Sequence, residues 1–399
     1  MSLFSVLLRG RGGARSPLAD RDFLLLLAAT VGMFGNYAPL LSVVPLWAAE
    51  GGAGHGWTGA ATGVTMAATV GVQACMGRLL RRFGPYRLLS AGALLLGAPT
   101  FGYPLSTGLG WVLAVSAVRG VGFGIVTVAG SALVAELTAP QQRGRAVGWH
   151  GVAVGLPQVV FLPLGVWFAE SFGFTAVFLA TGAASAVVPL LVAGMSRRRA
   201  GGGGPPRGGA RPAPAGWRAL AVPSVLMVVS ACALGGVTSF LPLAVADTAA
   251  VSAALFALSA AMVAGRWAAG AWSDRGGAGR LTAPGTLLGA AGVGGVAAAV
   301  AGLPVPVVAA AALYGFGFGV VQNATLVVMF HRAGPGGSGT ASAAWNVSFD
   351  AGTGAGSVAT GLLAQALAFP GAYCATALLI AAAAPLAWRD GRARAAAPC

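Results

Sequence analysis

Apolar residues run through this chain in long, nearly unbroken stretches, and polar residues gather between them. Stretches near 23–48, 58–80, 86–105, 109–136, 144–169, 173–195, 219–244, 249–273, 281–301, 305–331, 339–366 and 371–388 read as helices of membrane-spanning length. They lack the polar stripe that a surface helix of a soluble domain carries. The chain is 57% hydrophobic and 8% charged, with mean hydropathy +0.80; an ordinary soluble domain is about 25% charged. Lipid, not water, is the solvent this pattern fits.

The stretch Arg197–Arg218 interrupts it, with six arginines, no acid and mostly Gly, Pro and Ala. Such a composition cannot bury enough apolar surface to fold, so it reads as a linker. The chain then divides into a tail at 1–22, a six-helix bundle at 23–196, the linker at 197–218, a second six-helix bundle at 219–388 and a tail at 389–399. The expected fold is all-α and integral to the membrane, with twelve transmembrane helices in two pseudo-symmetric bundles.

Charge refines this picture. All 24 basic residues are arginine and the net charge is +15. They cluster in the N-terminal tail, at the second–third connection (Arg78, Arg81, Arg82, Arg87), at the fourth–fifth (Arg143, Arg145), in the linker, at the eighth–ninth (Arg275, Arg280), at Arg332 and in the C-terminal tail. The intervening connections have none. Positive residues stay on the cytoplasmic side, so both termini and the linker are expected there. The basic balance is thus a topology signal, with some attraction to anionic lipid, and no nucleic-acid partner is expected. The arginine, alanine and glycine usage suggests a high-GC bacterial gene, hence a bacterial cytoplasmic membrane. The N-terminal region, interrupted by Arg9, Arg11 and Arg15, does not read as a signal peptide.

Enzyme chemistry finds no support. Cys75, Cys232, Cys374 and Cys399 are scattered, as are His55, His150 and His331. No metal spacing, nucleophile–base–acid set or phosphate loop is present, and no cofactor is expected.

Polar residues inside the apolar segments are the candidate site. Asn36 falls ~20 Å along the first segment, near the bilayer midplane; it either bonds a neighbouring helix or lines a cavity. Arg119 lies within the fourth segment, where a buried guanidinium costs roughly 2.5–3.5 kcal/mol on insertion scales and marks function by default, the alternative being snorkelling to the headgroups. Gln158 lies in the fifth segment and Gln322 and Asn323 in the tenth. Asn346 and Asp350 are four residues apart in the eleventh, on one helix face. Asp350 lies ~17 Å from the segment's start, so it must be paired, reached by water or protonated. Arg266, in the eighth, is expected to pair with Asp274 or a helix end. Gly144, Gly148, Gly151 and Gly155 form a smooth stripe read as a packing seam.

The connection after the second segment reads Gly77-Arg78-Leu79-Leu80-Arg81-Arg82-Phe83-Gly84-Pro85-Tyr86-Arg87. It resembles the G-x-x-x-D-R-x-G-R-type motif of the major facilitator superfamily through Gly77, Arg82, Gly84 and Arg87, with Arg81 where that family has its acid. Shifted by 193 residues, those positions become Gly270, Arg275, Gly277 and Arg280, and Arg81 becomes Asp274, so the second copy keeps the acid. Gly120, Gly122 and Gly124 shifted by 195 become Gly315, Gly317 and Gly319. Near-constant offsets indicate a duplicated unit. The resemblance covers nearly the whole chain. It implies alternating access, a gating role for the two loop motifs and a functional helix-four arginine at Arg119; members commonly act as monomers. The exporters' glycine-rich Gly-Pro motif is present only in degraded form, at Leu162-Pro163-Leu164-Gly165 near Gln158.

With no ATP motif and few acids to hold sodium, a proton gradient is the expected energy source, with Asp350 and Arg119 as proton-coupling candidates. Asn36, Gln158, Gln322, Asn323 and Asn346 are the substrate-cavity candidates. An apolar cavity with one acid and one arginine suits export of a small amphipathic or drug-like molecule. Uptake of a small polar metabolite is the alternative, and a transporter-like membrane sensor or assembly partner an alternative of another class.

Overall fold

A computed structural model describes residues 17–138, 142–195, 217–276, 278–334 and 337–392. Arg9, Arg11, Arg15, Gly277, Arg394 and the linker up to residue 216 lie outside the described residues. Every regular element among the described residues is helical. α1 (Arg21–Glu50) is started by Asp20, whose side chain accepts from the backbone N–H of Asp22 at 2.8 Å. α2 (His55–Phe83) ends at Gly84, whose φ of +75° a side chain would strain, and Pro85 then opens α3 (Pro85–Gly97) at its first position. α3 continues as a tighter 3-10 stretch, Ala98–Leu105, around Pro99 and Pro104.

α4 (Leu109–Leu137), α5 (Arg143–Phe172) and α6 (Phe174–Ala186, prolonged by Val188–Ala193) complete the first half of the chain. α7 (Trp217–Ala244), α8 (Thr248–Gly276), α9 (Thr282–Val300), α10 (Val307–Ala333) and α11 (Ser338–Arg392) form the second. The expected eleventh and twelfth segments merge into α11, which breaks at Ala368 (φ 53°, ψ 177°), just before Phe369-Pro370. Ten helices among the described residues are long and apolar enough to cross a membrane. That set includes α11 once and leaves out α2, where Thr58, Thr62, Thr65, Thr69, Gln73 and the terminal arginines dilute the apolar run.

Glycines set how closely helices approach. A Cβ on Gly120 would overlap the Thr65 carbonyl, and one on Gly124 would come within 2.7 Å of the Thr69 carbonyl, so α4 lies against α2. The shifts of 193 and 195 reproduce this pair: Gly315 and Gly319 on α10 meet the Leu258 and Met262 carbonyls of α8. Gly122 on α4 likewise meets the Gly92–Leu96 backbone, and Gly317 on α10 meets Gly285–Gly289. The two halves repeat one packing pattern atom for atom, although few of the surrounding side chains agree.

The helix-five stripe departs from expectation. No atom lies within 4 Å of a Cβ placed on Gly148 or Gly151, and Gly155 meets only Val263 Cγ2 at 3.9 Å. Regular spacing identifies a smooth face but not whether a partner covers it; here that face is largely open.

The halves meet most tightly at the end of the molecule opposite the chain's first and last described residues. There a Cβ on Gly59 would overlap the Ser357 carbonyl, and one on Gly361 the His55 carbonyl. Ser42 donates to the Thr238 carbonyl at 2.6 Å, and Thr62 and Ser239 share a hydrogen bond of 3.2 Å. At the other end, Arg332 closes the second half. Its Nη2 lies 2.5 Å from both carboxylate oxygens of Asp390, and Nη1 donates to the Ala219 carbonyl at 2.8 Å. One guanidinium thereby ties the ends of α7, α10 and α11. Asp390→Asn is expected to cost about 2–3 kcal/mol, since it leaves a mostly buried cation unpaired. Thermal unfolding in detergent checks this, and an unchanged midpoint would refute the clamp.

Candidate functional site

Polar side chains inside the helices fall into three clusters. The first surrounds Arg119, which is 3% exposed. Its Nη2 donates to Asn36 Oδ1 at 2.9 Å, Nε to Thr100 Oγ1 at 3.1 Å and Nη1 to the Tyr103 hydroxyl at 3.2 Å. The guanidinium lies 5.5 Å from the Tyr103 ring centroid. Asn36 Nδ2 donates to the Thr181 carbonyl at 2.9 Å and to Thr100 Oγ1 at 3.1 Å, while Tyr103 shares a 2.9 Å hydrogen bond with Ser116. Among the described residues no carboxylate lies within ion-pair distance of Arg119. Neutral oxygens solvate this charge, and it does not snorkel.

Asn36 thus makes the first of its two expected kinds of contact, bonds to neighbouring helices. It is 0% exposed, and both ends of its amide are committed to Arg119, Thr100 and Thr181. It orients the arginine. Arg119 itself borders a small void of about 10 Å³ shared with Tyr37, Thr62, Thr65 and Met66, room for about one water. Tyr37 stacks on Phe123 at 3.8 Å between ring centroids, which closes the cluster on the adjoining side.

The second cluster crosses between the halves. Gln73 Nε2 on α2 donates to Asp350 Oδ2 on α11 at 2.9 Å and lies 3.5 Å from Thr127 Oγ1 on α4. Asp350 is 4% exposed. The other end of the amide, Gln73 Oε1, is buried without a protein partner. Asn346 does not join: it is exposed, and its Nδ2 donates to the Ser342 carbonyl of its own helix at 2.8 Å. Four-residue spacing puts both on one side of α11, but only the deeper turn is covered by α2.

The third cluster lies between α8 and α10. Arg266 Nε donates to Gln322 Oε1, and Gln322 Nε2 approaches Met262 Sδ at 3.7 Å. Gln322 is 1% exposed, so it too is an interior partner more than a lining group. Its neighbour Asn323 is half-buried, with Oδ1 buried and unpartnered. Trp345 Nε1 donates to the Gln322 carbonyl at 3.2 Å and fastens α11 to this cluster. Arg266 takes Gln322 as its partner among the described residues; the side chain of Asp274, one of its two expected partners, lies outside them. Gln158 stands apart, half-buried, with Nε2 donating to the Val154 carbonyl at 3.3 Å.

Several loop-motif residues sit on the surface. Arg82 and Arg87 are exposed, the Arg82 guanidinium lying 5.3 Å over the Phe83 ring. Gly77 meets only Arg81 Nη1, at 3.8 Å; Gly270 faces Asn323 Nδ2 at 3.7 Å, and Arg280 is exposed. Asp274 and Arg275 belong to α8, but their side chains, and Gly277 altogether, lie outside the described residues.

Sequence reasoning passed over Gln73, Thr100, Thr127, Tyr103 and Ser116, which complete the first two clusters. Repetition offered one signal. The 193-residue shift carries Arg266 onto Gln73, and the 195-residue shift carries Gln322 onto Thr127, so the two contacting pairs occupy equivalent places.

Comparison with known proteins agrees with this architecture. The family model described as Major Facilitator Superfamily matches residues 24–357. A stretch of 102 residues, 26% of this chain, is 30% identical to an uncharacterized MFS-type transporter, Rv1250, of Mycobacterium tuberculosis; the match spans 18% of that relative's length. The fold superposes on a bacterial homolog of the human lysosomal transporter Spinster, in an inward-facing and occupied conformation, with a TM-score of 0.74 at 15% identity, over 95% of this chain and 98% of that one. A D-xylose-proton symporter superposes with a TM-score of 0.73 at 15% identity, over 92% and 97% of the two chains.

Proposed function

We propose that this chain, which belongs to the Major Facilitator Superfamily, is a proton-coupled exporter of a small amphipathic molecule working by alternating access. In this reading α11 crosses the membrane twice and α2 once, giving twelve crossings in two six-helix bundles joined by the arginine-rich linker. Both termini face the cytoplasm of a bacterial cell, and the protein works as a monomer. The bundles rock about the space between them.

The observation that carries the coupling is the bond between Gln73 and Asp350, which joins the bundles at membrane depth. Gln73 Oε1 is buried and lacks a donor. A proton on Asp350 supplies one. The protonated acid and the amide then satisfy each other across the seam between α2 and α11. Loss of the proton leaves a carboxylate facing an amide oxygen in a medium of low dielectric, which favours parting of the helices and entry of water. Proton binding and bundle movement are thereby one event. Arg119 holds positive charge in the first bundle, fixed by Asn36, Thr100 and Tyr103.

The test joins flux and exchange. Cellular accumulation of a broad compound panel is measured with and without the protein, and with and without a protonophore. Lower accumulation that the protonophore abolishes is the expected result; higher accumulation with the same sensitivity would mean uptake. Asp350→Asn, which still bonds Gln73 but cannot release a proton, is expected to reach the membrane and lose gradient-driven transport. Full gradient-driven transport by that variant would refute the coupling role. No change in any compound, with insertion confirmed, would favour the sensor reading.

A further inference from the structure

We propose that Arg266, with Gln322 and Asn323, forms a subsite for the anionic group of the cargo, a carboxylate or phosphate carried on an apolar body. The inference rests on the transport reading and adds the substrate class to it.

The starting point is the broken symmetry between two equivalent polar pairs. Gln73 contacts Thr127 within its own half and Asp350 across the seam. Arg266 occupies the equivalent of Gln73 and contacts Gln322, the equivalent of Thr127. The equivalent of Asp350 in the first half is Gly155 on α5, which brings no side chain. α5 nevertheless runs beside α8 there, since a Cβ on Gly155 would lie 3.9 Å from Val263 Cγ2. By this equivalence Arg266 lies at the same kind of inter-half seam as Gln73, with no acid opposite among the described residues.

Its chemistry fits a carboxylate. Among the described residues, only Nε of Arg266 has a hydrogen-bond partner, so the Nη1 and Nη2 edge is uncommitted. That edge is the planar fork that accepts two carboxylate or phosphate oxygens. The residue keeps part of its surface exposed. Gln322 fixes the guanidinium from behind. On the same side, Asn323 Nδ2 lies 3.7 Å from where a Cβ on Gly270, one turn along α8, would sit, and it is the neutral donor that an anion could use; Asn323 Oδ1 is buried and takes no part. Met262, Val263 and Trp345 give the surroundings an apolar character suited to the rest of an amphipathic ligand. No ion pair among the described residues neutralises Arg266, and a bound anion would stabilise a guanidinium at this depth.

The experiment uses the purified full-length protein in phosphatidylcholine nanodiscs. Binding of 4-phenylbutyrate and decanoate is compared with that of their primary amides, by tryptophan fluorescence and thermal shift. The acids are expected to bind at least about tenfold more tightly than the amides. Arg266→Gln should erase that preference and Arg266→Lys should keep part of it. Gln322→Met, which leaves the guanidinium in place, should weaken the preference without removing it. Acids binding no better than amides, or a preference that survives Arg266→Gln, overturns the proposal. The anion could also come from a lipid headgroup. If phosphatidylglycerol abolishes the acid preference and is retained by the wild-type protein but not by Arg266→Gln, the occupant is lipid and the cargo assignment falls. The acid preference is read at equilibrium with no proton gradient, whereas the coupling test reads gradient-driven flux, so failure of proton coupling and failure of this subsite give different results.

Discussion

Gly356→Ala and Gly235→Ala are each expected to destabilise the protein by about 3 kcal/mol or more. A methyl group on Gly356 would overlap the Cys232 carbonyl, and one on Gly235 the Thr353 carbonyl. Both obstacles are backbone, so no side-chain rotation relieves them and α7 must move away from α11. Gly352, on which a Cβ would lie 2.5 Å from the Val228 carbonyl, belongs to the same contact and would lose its packing in turn. The measurement is the midpoint of thermal unfolding in detergent, with folded yield as a second readout. Gly148→Ala and Gly151→Ala are the matched controls. Nothing lies within 4 Å of either new methyl group, and Ala is the better helix former by roughly 0.5–1 kcal/mol. Those variants should be as stable as the wild type or more so. If all four behave alike, close backbone approach is not what holds α7 to α11.

The second large effect concerns the charge in the first half. Asn36→Leu keeps the side-chain size but removes the oxygen that accepts from Arg119 Nη2 and the donor that reaches Thr181 and Thr100. A guanidinium that is 3% exposed then loses its best-placed acceptor. The expected cost is about 3 kcal/mol, most of it the penalty of an under-solvated buried cation. The same reasoning fixes the sign of the double variant. Asn36→Leu combined with Arg119→Met removes the cation together with its acceptor, and should be more stable than Asn36→Leu alone. Unfolding midpoints of the two singles and the double measure the coupling. Strictly additive losses would mean that Asn36 does not serve Arg119. Transport should be absent in both variants that lack Asn36.

The helical class, the apolar solvent and the duplicated order of motifs were legible in the chain itself. Runs of about 20 apolar residues can satisfy their backbone in lipid only as helices, and the offsets of 193 and 195 residues need no coordinates to be seen. Local chemistry also fixed some joints, such as Gly84-Pro85 between α2 and α3. The separation of the last two segments was read there too: the gap expected between 366 and 371 holds the break at Ala368.

Only the folded chain decided what each polar side chain does. Asn36 and Asn346 both looked available to a solute. One is wholly committed to Arg119 and Thr181, the other lies exposed against its own helix. Gly148, Gly151 and Gly155 in α5 and Gly352 and Gly356 in α11 both recur every three or four residues, yet only the latter come up against a backbone. The reason is physical. Helical periodicity tells which residues share a face, and hydropathy tells what solvent the helix prefers. Neither tells which second helix covers that face, since in lipid an apolar face is at ease against a neighbour or against acyl chains alike. Partners separated by 83 residues, as Arg119 and Asn36 are, or by 277, as Gln73 and Asp350 are, meet only when the helices pack.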